Sequence, residues 1–90
     1  MQYKGCQNIY SRDGEIIFNG GWDSRELYKA VTGDLSESYW LGRRVLDIGA
    51  NTSGLSVEIA RRGATVVAAE PDPYKNTRHL AQKALFSVIS

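Results

Sequence analysis

The sequence predicts an α/β fold built around a partial parallel sheet, with its elements in the order strand, helix, strand, helix. Two short apolar runs, at residues 44–48 and 65–69, have the length and composition of buried strands. Each run is followed by apolar residues at helical spacing. Continuous apolar strands joined through helices are typical of parallel sheets with right-handed crossovers. We therefore expect a partial Rossmann-like parallel sheet (β-α-β-α), preceded by a small N-terminal hairpin and helix.

Length and composition limit the class of protein. The 90 residues form at most one compact domain, with 42% hydrophobic and 23% charged residues and a net charge of +1. These values exclude a disordered tail and a strongly basic nucleic-acid clamp. Cys6 is the only cysteine, so no internal disulfide forms. No apolar run approaches the ~20 residues of a membrane span, and the N-terminus lacks the apolar core of a signal peptide. We therefore expect a cytoplasmic protein without a membrane partner.

Residues 1–42 are expected to form a small N-terminal unit that starts with a hairpin. The dipeptide Asp13-Gly14 favours a tight turn, and it separates apolar segments at residues 8–10 and 15–18. The following Asn19-Gly20-Gly21 is expected to break the extended chain.

A short helix over about residues 24–31 is expected next. Asp23 and Glu26 have the spacing of a capping box, and Gly33 provides a C-terminal stop. Residues 34–42 are expected to form a loop. Two tryptophans flank the helix and are expected to anchor the core, Trp22 and Trp40.

Residues 43–90 are expected to form the ligand-binding β-α-β-α unit. The strand at 44–48 is followed by a loop at residues 49–54 and by a helix that Gly63 ends. Pro71 and Pro73 stop the second strand. The second helical face is marked by Tyr74, Leu80, Ala81, Ala84, Leu85 and Val88. Surface positions on the two helices are expected for Glu58, Arg61, Arg62 and His79.

The loop at residues 49–54 carries the functional signal. It joins a strand to a helix at the carboxyl edge of the predicted sheet, where open α/β folds bind ligands. Glu70 follows Gly49 by twenty-one residues, at the end of the next strand. An acidic residue at this distance is the usual partner of ribose hydroxyls, and its two oxygens can accept from two vicinal hydroxyls. The pattern therefore predicts a ligand that carries a ribose.

Two residues disfavour a dinucleotide. A dinucleotide fingerprint would have glycine where Asn51 stands, so that the backbone could approach a pyrophosphate. Asn51 is a turn former or a ligand contact, since asparagine tolerates left-handed backbone. Asp47 adds a negative charge, and two like charges ~5 Å apart cost about 3 kcal/mol at an effective dielectric near 20. A ribose ligand with positive charge and no phosphate fits better, as in S-adenosylmethionine.

Two segments carry a resemblance to a known family. Residues 45–51, Val-Leu-Asp-Ile-Gly-Ala-Asn, and residues 63–73 resemble the first half of class I S-adenosylmethionine-dependent methyltransferases. Asp47 to Asn51 and Glu70 to Pro73 resemble especially the FkbM-like O-methyltransferases. Gly21-Trp22-Asp23 is similar to the tRNA wobble-uridine methyl and carboxymethyl transfer proteins. The resemblance covers residues 43–86 well and residues 20–42 more loosely.

The resemblance implies roles for individual residues. Asp47 and Gly49 would shape the loop around the methionine part, Glu70 would bind the ribose hydroxyls, and Pro71 would lie beside the adenine. Ser53 stands where the family has glycine, and its hydroxyl offers a helix N-cap instead. The candidate cofactor-binding residues are Asp47, Gly49, Ala50, Asn51, Ser53, Gly54, Glu70 and Pro71. No metal site is predicted and no catalytic residue is assigned, since His79 has no visible partner acid.

By the resemblance, a complete fold has seven strands, of which this chain supplies two. The chain is therefore expected to bind cofactor but to catalyse little alone, with a small-molecule or RNA methyl acceptor left open. The strand at 44–48 would have an unpaired edge, which the hairpin, a partner chain or self-association covers. The alternatives are a non-catalytic methyltransferase-like regulatory or assembly module, a structural α/β unit without a ligand, and a nicotinamide-binding module.

Overall fold

The computed structural model describes residues 1–75 and 88–89. This part of the chain is a small mixed α/β domain with two helices and parallel sheets. Neither of the two helices is long and apolar enough to cross a membrane. In chain order the elements are β1 (Tyr3–Gln7), β2 (Ile9–Tyr10), β3 (Ile16–Phe18), β4 (Gly20–Trp22), α1 (Ser24–Thr32), β5 (Arg44–Ile48), α2 (Gly54–Arg61), β6 (Thr65–Ala69) and β7 (Val88–Ile89).

The N-terminal strands pair in two small sheets. β2 and β3 form the expected antiparallel hairpin, whose connection includes Gly14 with a φ of +84°. β1 pairs in parallel with β4, with Gln7 opposite Trp22. The expected break of the extended chain at Asn19-Gly20-Gly21 is confirmed at Asn19 alone, which separates β3 from β4, since both glycines lie within β4. A Cβ at Gly20 would overlap the backbone of β1, so the glycine permits the close approach of the two strands.

α1 begins at the predicted residue and ends one residue later than predicted. The Oδ1 atom of Asp23 accepts a 3.0 Å hydrogen bond from the amide of Arg25 and thereby caps the helix. Gly33 has a φ of +53°, and its amide donates to the carbonyl of Lys29 at 2.9 Å. Both ends follow from local sequence, because each terminal residue satisfies a backbone group that the helix leaves unpaired.

β5, β6 and β7 form a parallel sheet in that order, with Arg44 opposite Thr65 and Ile48 opposite Ala69. α2 connects β5 to β6 and packs on one face of the sheet. Full burial of an aliphatic side chain stabilises a fold by roughly 1.5–3 kcal/mol, so this layer carries much of the stability. The buried residues of the core cluster are Ile9, Tyr28, Ala50, Val57, Ile59, Ala60, Ala64, Val66, Ala68 and Val88.

The opposite face of this sheet is exposed in the described part of the chain. Leu46 is 61% exposed and Ile48 is 79% exposed, whereas Val66 and Ala68 are buried on the α2 side. The prediction of fully buried strands is therefore wrong for these residues. The physical reason is that successive side chains of a strand point to opposite faces, and α2 covers one of them.

The first and last residues of the predicted second helical face, Tyr74 and Val88, do not lie in a helix. Tyr74 lies in a turn at residues 73–75, and Val88 lies in β7, which pairs in parallel with β6. The residues between them, with the predicted surface residue His79, lie outside the described part of the chain. β7 was not predicted, because its short apolar run also fits the helical spacing.

The two tryptophans differ in their environments. Trp22 is 59% exposed at the end of β4, so its prediction as a core anchor is wrong. Trp40 is half-buried in a 3-10 turn at Glu37–Trp40 and packs against the core. Its Nε1 atom donates a 2.9 Å hydrogen bond to the hydroxyl of Tyr28, which confirms an anchoring role.

The expected surface positions on α2 are also wrong. Glu58 is 1% exposed, and its Oε1 atom lies 3.4 Å from Arg61 Nε and 3.5 Å from Arg62 Nη1. Arg61 also donates to the carbonyl of Tyr10 at 3.0 Å. The guanidinium of Arg62 lies 3.7 Å from the centre of the Tyr28 ring. The hairpin and α1 thus cover a helix face that the sequence pattern marks as polar, and the buried charge is paired there.

Candidate functional site

The carboxyl ends of β5 and β6 meet at one edge of the sheet, where the loop at residues 49–54 begins. The amides of Gly49 and Ala50 both donate to the carbonyl of Ala69, at 2.8 and 3.0 Å. The loop therefore starts directly against the end of β6. This contact brings the loop and Glu70 together, as the spacing predicts for adjacent parallel strands.

Glu70 connects the two segments that follow these strands. Its Oε1 atom accepts a 2.7 Å hydrogen bond from the amide of Asn51, and its Oε2 atom accepts a 3.0 Å bond from the amide of Asp72. Each carboxylate oxygen therefore has one backbone partner. A carboxylate offers about four acceptor positions in total, so two remain for hydroxyl donors.

Gly49 forms the open part of the edge. Its φ is +70°, a conformation that residues with a Cβ rarely adopt. A Cβ built at this position would meet no atom within 4 Å, so the space above the backbone is open. Pro71 is exposed beside Glu70 on the same edge. These two positions leave room for a ligand next to the Glu70 carboxylate.

Asp47 lies at the end of β5 on the α2 side of the sheet. It is half-buried, and its Oδ2 atom accepts a 2.7 Å hydrogen bond from the hydroxyl of Ser56. The carboxylate is thus held against the first turns of α2. It places a negative charge close to the loop, as the sequence predicts.

The prediction that Asn51 is a turn former is confirmed, because its backbone is left-handed with a φ of +59°. Its Oδ1 atom accepts from the amide of Gln7 at 3.0 Å and from the amide of Thr52 at 2.7 Å. Its Nδ2 atom donates to the carbonyl of Gly5 at 2.8 Å. In this arrangement the side-chain amide binds β1 and the loop itself.

Ser53 and Gly54 lie beneath the N-terminal segment. Ser53 is 2% exposed, and its hydroxyl makes no capping bond, so the expected N-cap is wrong. The cap comes from Gln7, whose Oε1 atom accepts a 2.9 Å hydrogen bond from the amide of Leu55. A Cβ at Gly54 would overlap the carbonyl oxygen of Asn8, so glycine is required there by space. These two candidate residues are therefore separated from the open edge.

Sequence reasoning missed the polar contacts that hold the N-terminal segment on the loop. Asn8 Oδ1 accepts a 2.7 Å bond from the amide of Ser24, and the hydroxyl of Thr52 donates to the carbonyl of Gln7. All four of these residues are buried. The one local signal is the adjacent polar pair Gln7-Asn8 immediately before a strand, and such pairs are also common on surfaces.

A second concave region is a cleft of about 460 Å³ between α1, α2 and the hairpin. Three of its acidic side chains pair with basic side chains of the cleft, as in the 2.7 Å contact between Arg62 and Glu37. Burial raises the pKa of Tyr10, and its 3.0 Å hydrogen bond to Asp23 acts in the same direction. The acidic side chains that line the cleft are therefore neutralised largely by basic side chains of the protein itself. We interpret the cleft as a contact between packed elements and not as a ligand site. Within residues 1–75 and 88–89, no cluster of three potential metal ligands occurs.

A scan against protein-family models finds no match, and searches of curated proteins and of solved structures find none either.

Proposed function

We propose that this chain is the cofactor-binding portion of an S-adenosylmethionine-dependent methyltransferase, with a Rossmann-like arrangement of its second half. The observation that carries the proposal is the 2.7 Å hydrogen bond from the amide of Asn51 to Glu70. It holds a carboxylate at the carboxyl edge of a parallel sheet, beside an open glycine loop. Parallel α/β sheets bind nucleosides at this edge.

The residues at the edge fit the nucleoside. Each oxygen of Glu70 keeps an acceptor position after its bond to a backbone amide, which suits the two vicinal hydroxyls of a ribose. The open backbone at Gly49 gives the ligand room. The negative charge of Asp47 favours a cationic group over a phosphate, which supports S-adenosylmethionine over a nicotinamide dinucleotide.

The cofactor would supply an electrophilic methyl group, while the chain binds and orients the nucleoside. Fixing the cofactor in one geometry lowers the entropic cost of a transfer reaction. The methyl acceptor would be a small molecule or an RNA.

A second candidate is a non-catalytic methyltransferase-like module for regulation or assembly. The exposed apolar sheet face at Leu46 and Ile48 favours it, because such a face is typical of a surface that another chain covers. Binding of S-adenosylhomocysteine without methyl transfer in a labelled-methyl assay would favour this second candidate.

The test is calorimetric titration of S-adenosylmethionine, S-adenosylhomocysteine and NAD into the parent chain and a Glu70→Ala variant. We expect both sulfur ligands to bind more tightly than NAD. Hydrogen bonds to a charged group contribute ~1.5–3 kcal/mol each, so Glu70→Ala should weaken S-adenosylhomocysteine binding by roughly 10–100-fold. Glu70→Gln should weaken it nearly as much, because an amide has one acceptor oxygen.

Glu15→Ala is the matched control, since Glu15 is exposed on the hairpin, which contacts α2 at Arg61, the end of the helix opposite the loop. Glu58→Gln is unsuitable as a control because Glu58 is buried and paired. Equal affinity of Glu70→Ala and the parent would refute the ribose assignment, and NAD binding as tight as that of the sulfur ligands would refute the choice of cofactor.

A further inference from the structure

Asn51 lies between the candidate cofactor edge and the N-terminal strand. Its backbone amide donates to Glu70 at 2.7 Å, while its side chain binds the amide of Gln7 at 3.0 Å and the carbonyl of Gly5 at 2.8 Å. We infer that Asn51 is a positioning residue that couples the Glu70 edge to the docking of β1 on the loop. The coupling of β1 to a bound ligand rests on the proposed function, whereas the coupling to Glu70 does not.

The left-handed backbone of Asn51 allows this one residue to contact both Glu70 and β1. With a φ of +59°, the residue turns its amide toward Glu70 and its side chain toward β1 at the same time. This conformation is unfavourable for a residue with a Cβ, and bonds on both sides stabilise it. Removal of the Glu70 carboxylate leaves the amide without that partner. The loop then relaxes, and the side chain loses its alignment with Gln7 and Gly5.

Gln7 couples the docking of β1 to the helix that follows the loop. Its backbone amide binds Asn51, and its side-chain Oε1 atom caps α2 at the amide of Leu55. Release of β1 therefore removes a cap from the helix that follows the loop. Since coupling between two sites is reciprocal, a ligand that orders the Glu70 edge also stabilises β1 in its docked position.

The first test needs no ligand and measures hydrogen exchange of the Gln7 amide by NMR. Glu70→Ala and Asn51→Gly should each speed this exchange by ~10-fold, since each removes or misaligns the bond to Gln7. Glycine is used at position 51 because it accepts the positive φ. In the double variant, exchange should equal that of Asn51→Gly alone. Glu70→Gln, which keeps one acceptor oxygen, should fall between the parent and Glu70→Ala.

Asn19→Gly is the control for this test, since its side-chain amide donates to the carbonyl of Met1 at 2.9 Å and does not contact the loop. It should leave Gln7 exchange as in the parent. Exchange at Val66 in β6 reports whether each variant is folded. Unchanged Gln7 exchange in both Glu70 variants would overturn the inference. So would an effect of Glu70→Ala that persists at full size in the Asn51→Gly background.

The second test adds S-adenosylhomocysteine. In the parent the ligand should slow Gln7 exchange, whereas in Asn51→Gly it should bind without slowing it. Binding to the parent without slower Gln7 exchange would overturn the coupling. The absence of any binding to the parent would count against the proposed function alone, because the ligand-free test still decides whether Asn51 couples Glu70 to β1.

Discussion

At the residue scale, the loop after β5 contains two non-glycine residues with left-handed backbone, Asn51 and Ser53, with φ values of +59° and +73°. The side chain of Asn51 makes hydrogen bonds to Gln7, Gly5 and Thr52 that offset the strain. Ser53 is buried in the same conformation without a capping bond. The difference indicates that strain at Ser53 is less well compensated than at Asn51.

Ser53→Gly should therefore stabilise the protein. Left-handed backbone costs ~1–2 kcal/mol for a residue with a Cβ, and the greater freedom of glycine in the unfolded chain offsets about 0.4–1 kcal/mol of the gain. We expect a net gain of about 0.5–1 kcal/mol, or a few degrees in Tm by thermal unfolding. Ser36→Gly is the control, because Ser36 has a φ of −67° and is exposed, and it should lower Tm slightly. A lower Tm for Ser53→Gly would contradict the assignment of strain.

Glu70 illustrates how a residue predicted as a ligand contact also acts in the fold. The sequence places it at a solvent-facing strand end, so that its removal would hardly affect folding. In the structure its carboxylate accepts from the amides of Asn51 and Asp72 and thus joins two loops. Loss of the carboxylate should therefore affect both loop order and ligand affinity, which is why folding is monitored separately at Val66.

At the element scale, the close approach of β1 to β4 is what places the N-terminal segment over the loop. Two adjacent glycines in β4 differ sharply in their surroundings. A Cβ at Gly20 would overlap the backbone of Cys6 and Gln7, whereas a Cβ at Gly21 would lie 3.7 Å from Lys4 Cα, an ordinary contact. The two positions therefore form a matched pair for a mutational test.

Gly20→Ala should destabilise the protein by about 1–3 kcal/mol, because the inserted methyl group displaces the backbone of β1. Gly21→Ala should change the free energy of unfolding by less than about 1 kcal/mol. Urea denaturation of both variants measures the difference. Equal destabilisation by the two substitutions would show that β1 does not pack against β4 as described.

At the scale of the whole molecule, the sheet of β5, β6 and β7 has two unlike faces. α2 covers one face, and the other exposes Leu46, Ile48, Val67 and Ile89. Within the described residues β5 is also an edge strand, since it pairs with β6 alone. An exposed apolar face beside an edge strand is typical of a surface that associates with another chain.

We expect the 90-residue chain to self-associate at micromolar concentration in light scattering. The double variant Leu46→Ser with Ile48→Ser should shift the population toward monomer, because it removes apolar surface without changing charge. Val31→Ser is the control, since Val31 is an exposed apolar residue on α1, away from the sheet face. A monodisperse monomeric parent would contradict the expectation of association.

Much of the fold could be predicted because its signals are local. The Asp13-Gly14 turn, the Asp23 cap, Gly33 and the two apolar runs each specify an element within a few residues. The juxtaposition of Glu70 with the loop also followed, because adjacent parallel strands end at the same edge. The pairing of β1 with β4 could not be predicted, since a parallel pair is joined by no local turn and depends on distant contacts.

The sequence by itself determined the order β5, α2, β6 and the meeting of Glu70 with the glycine loop, because hydrophobic periodicity and strand direction settle both. Tertiary structure alone decided which polar groups are buried. Glu58 is enclosed because the hairpin and α1 pack over it, and Asn51 binds Gln7 across 44 residues of chain. A local sequence pattern indicates that a side chain is polar, but it does not indicate which distant backbone group forms a hydrogen bond with it. For this reason only the tertiary structure shows that Gln7, and not Ser53, caps α2.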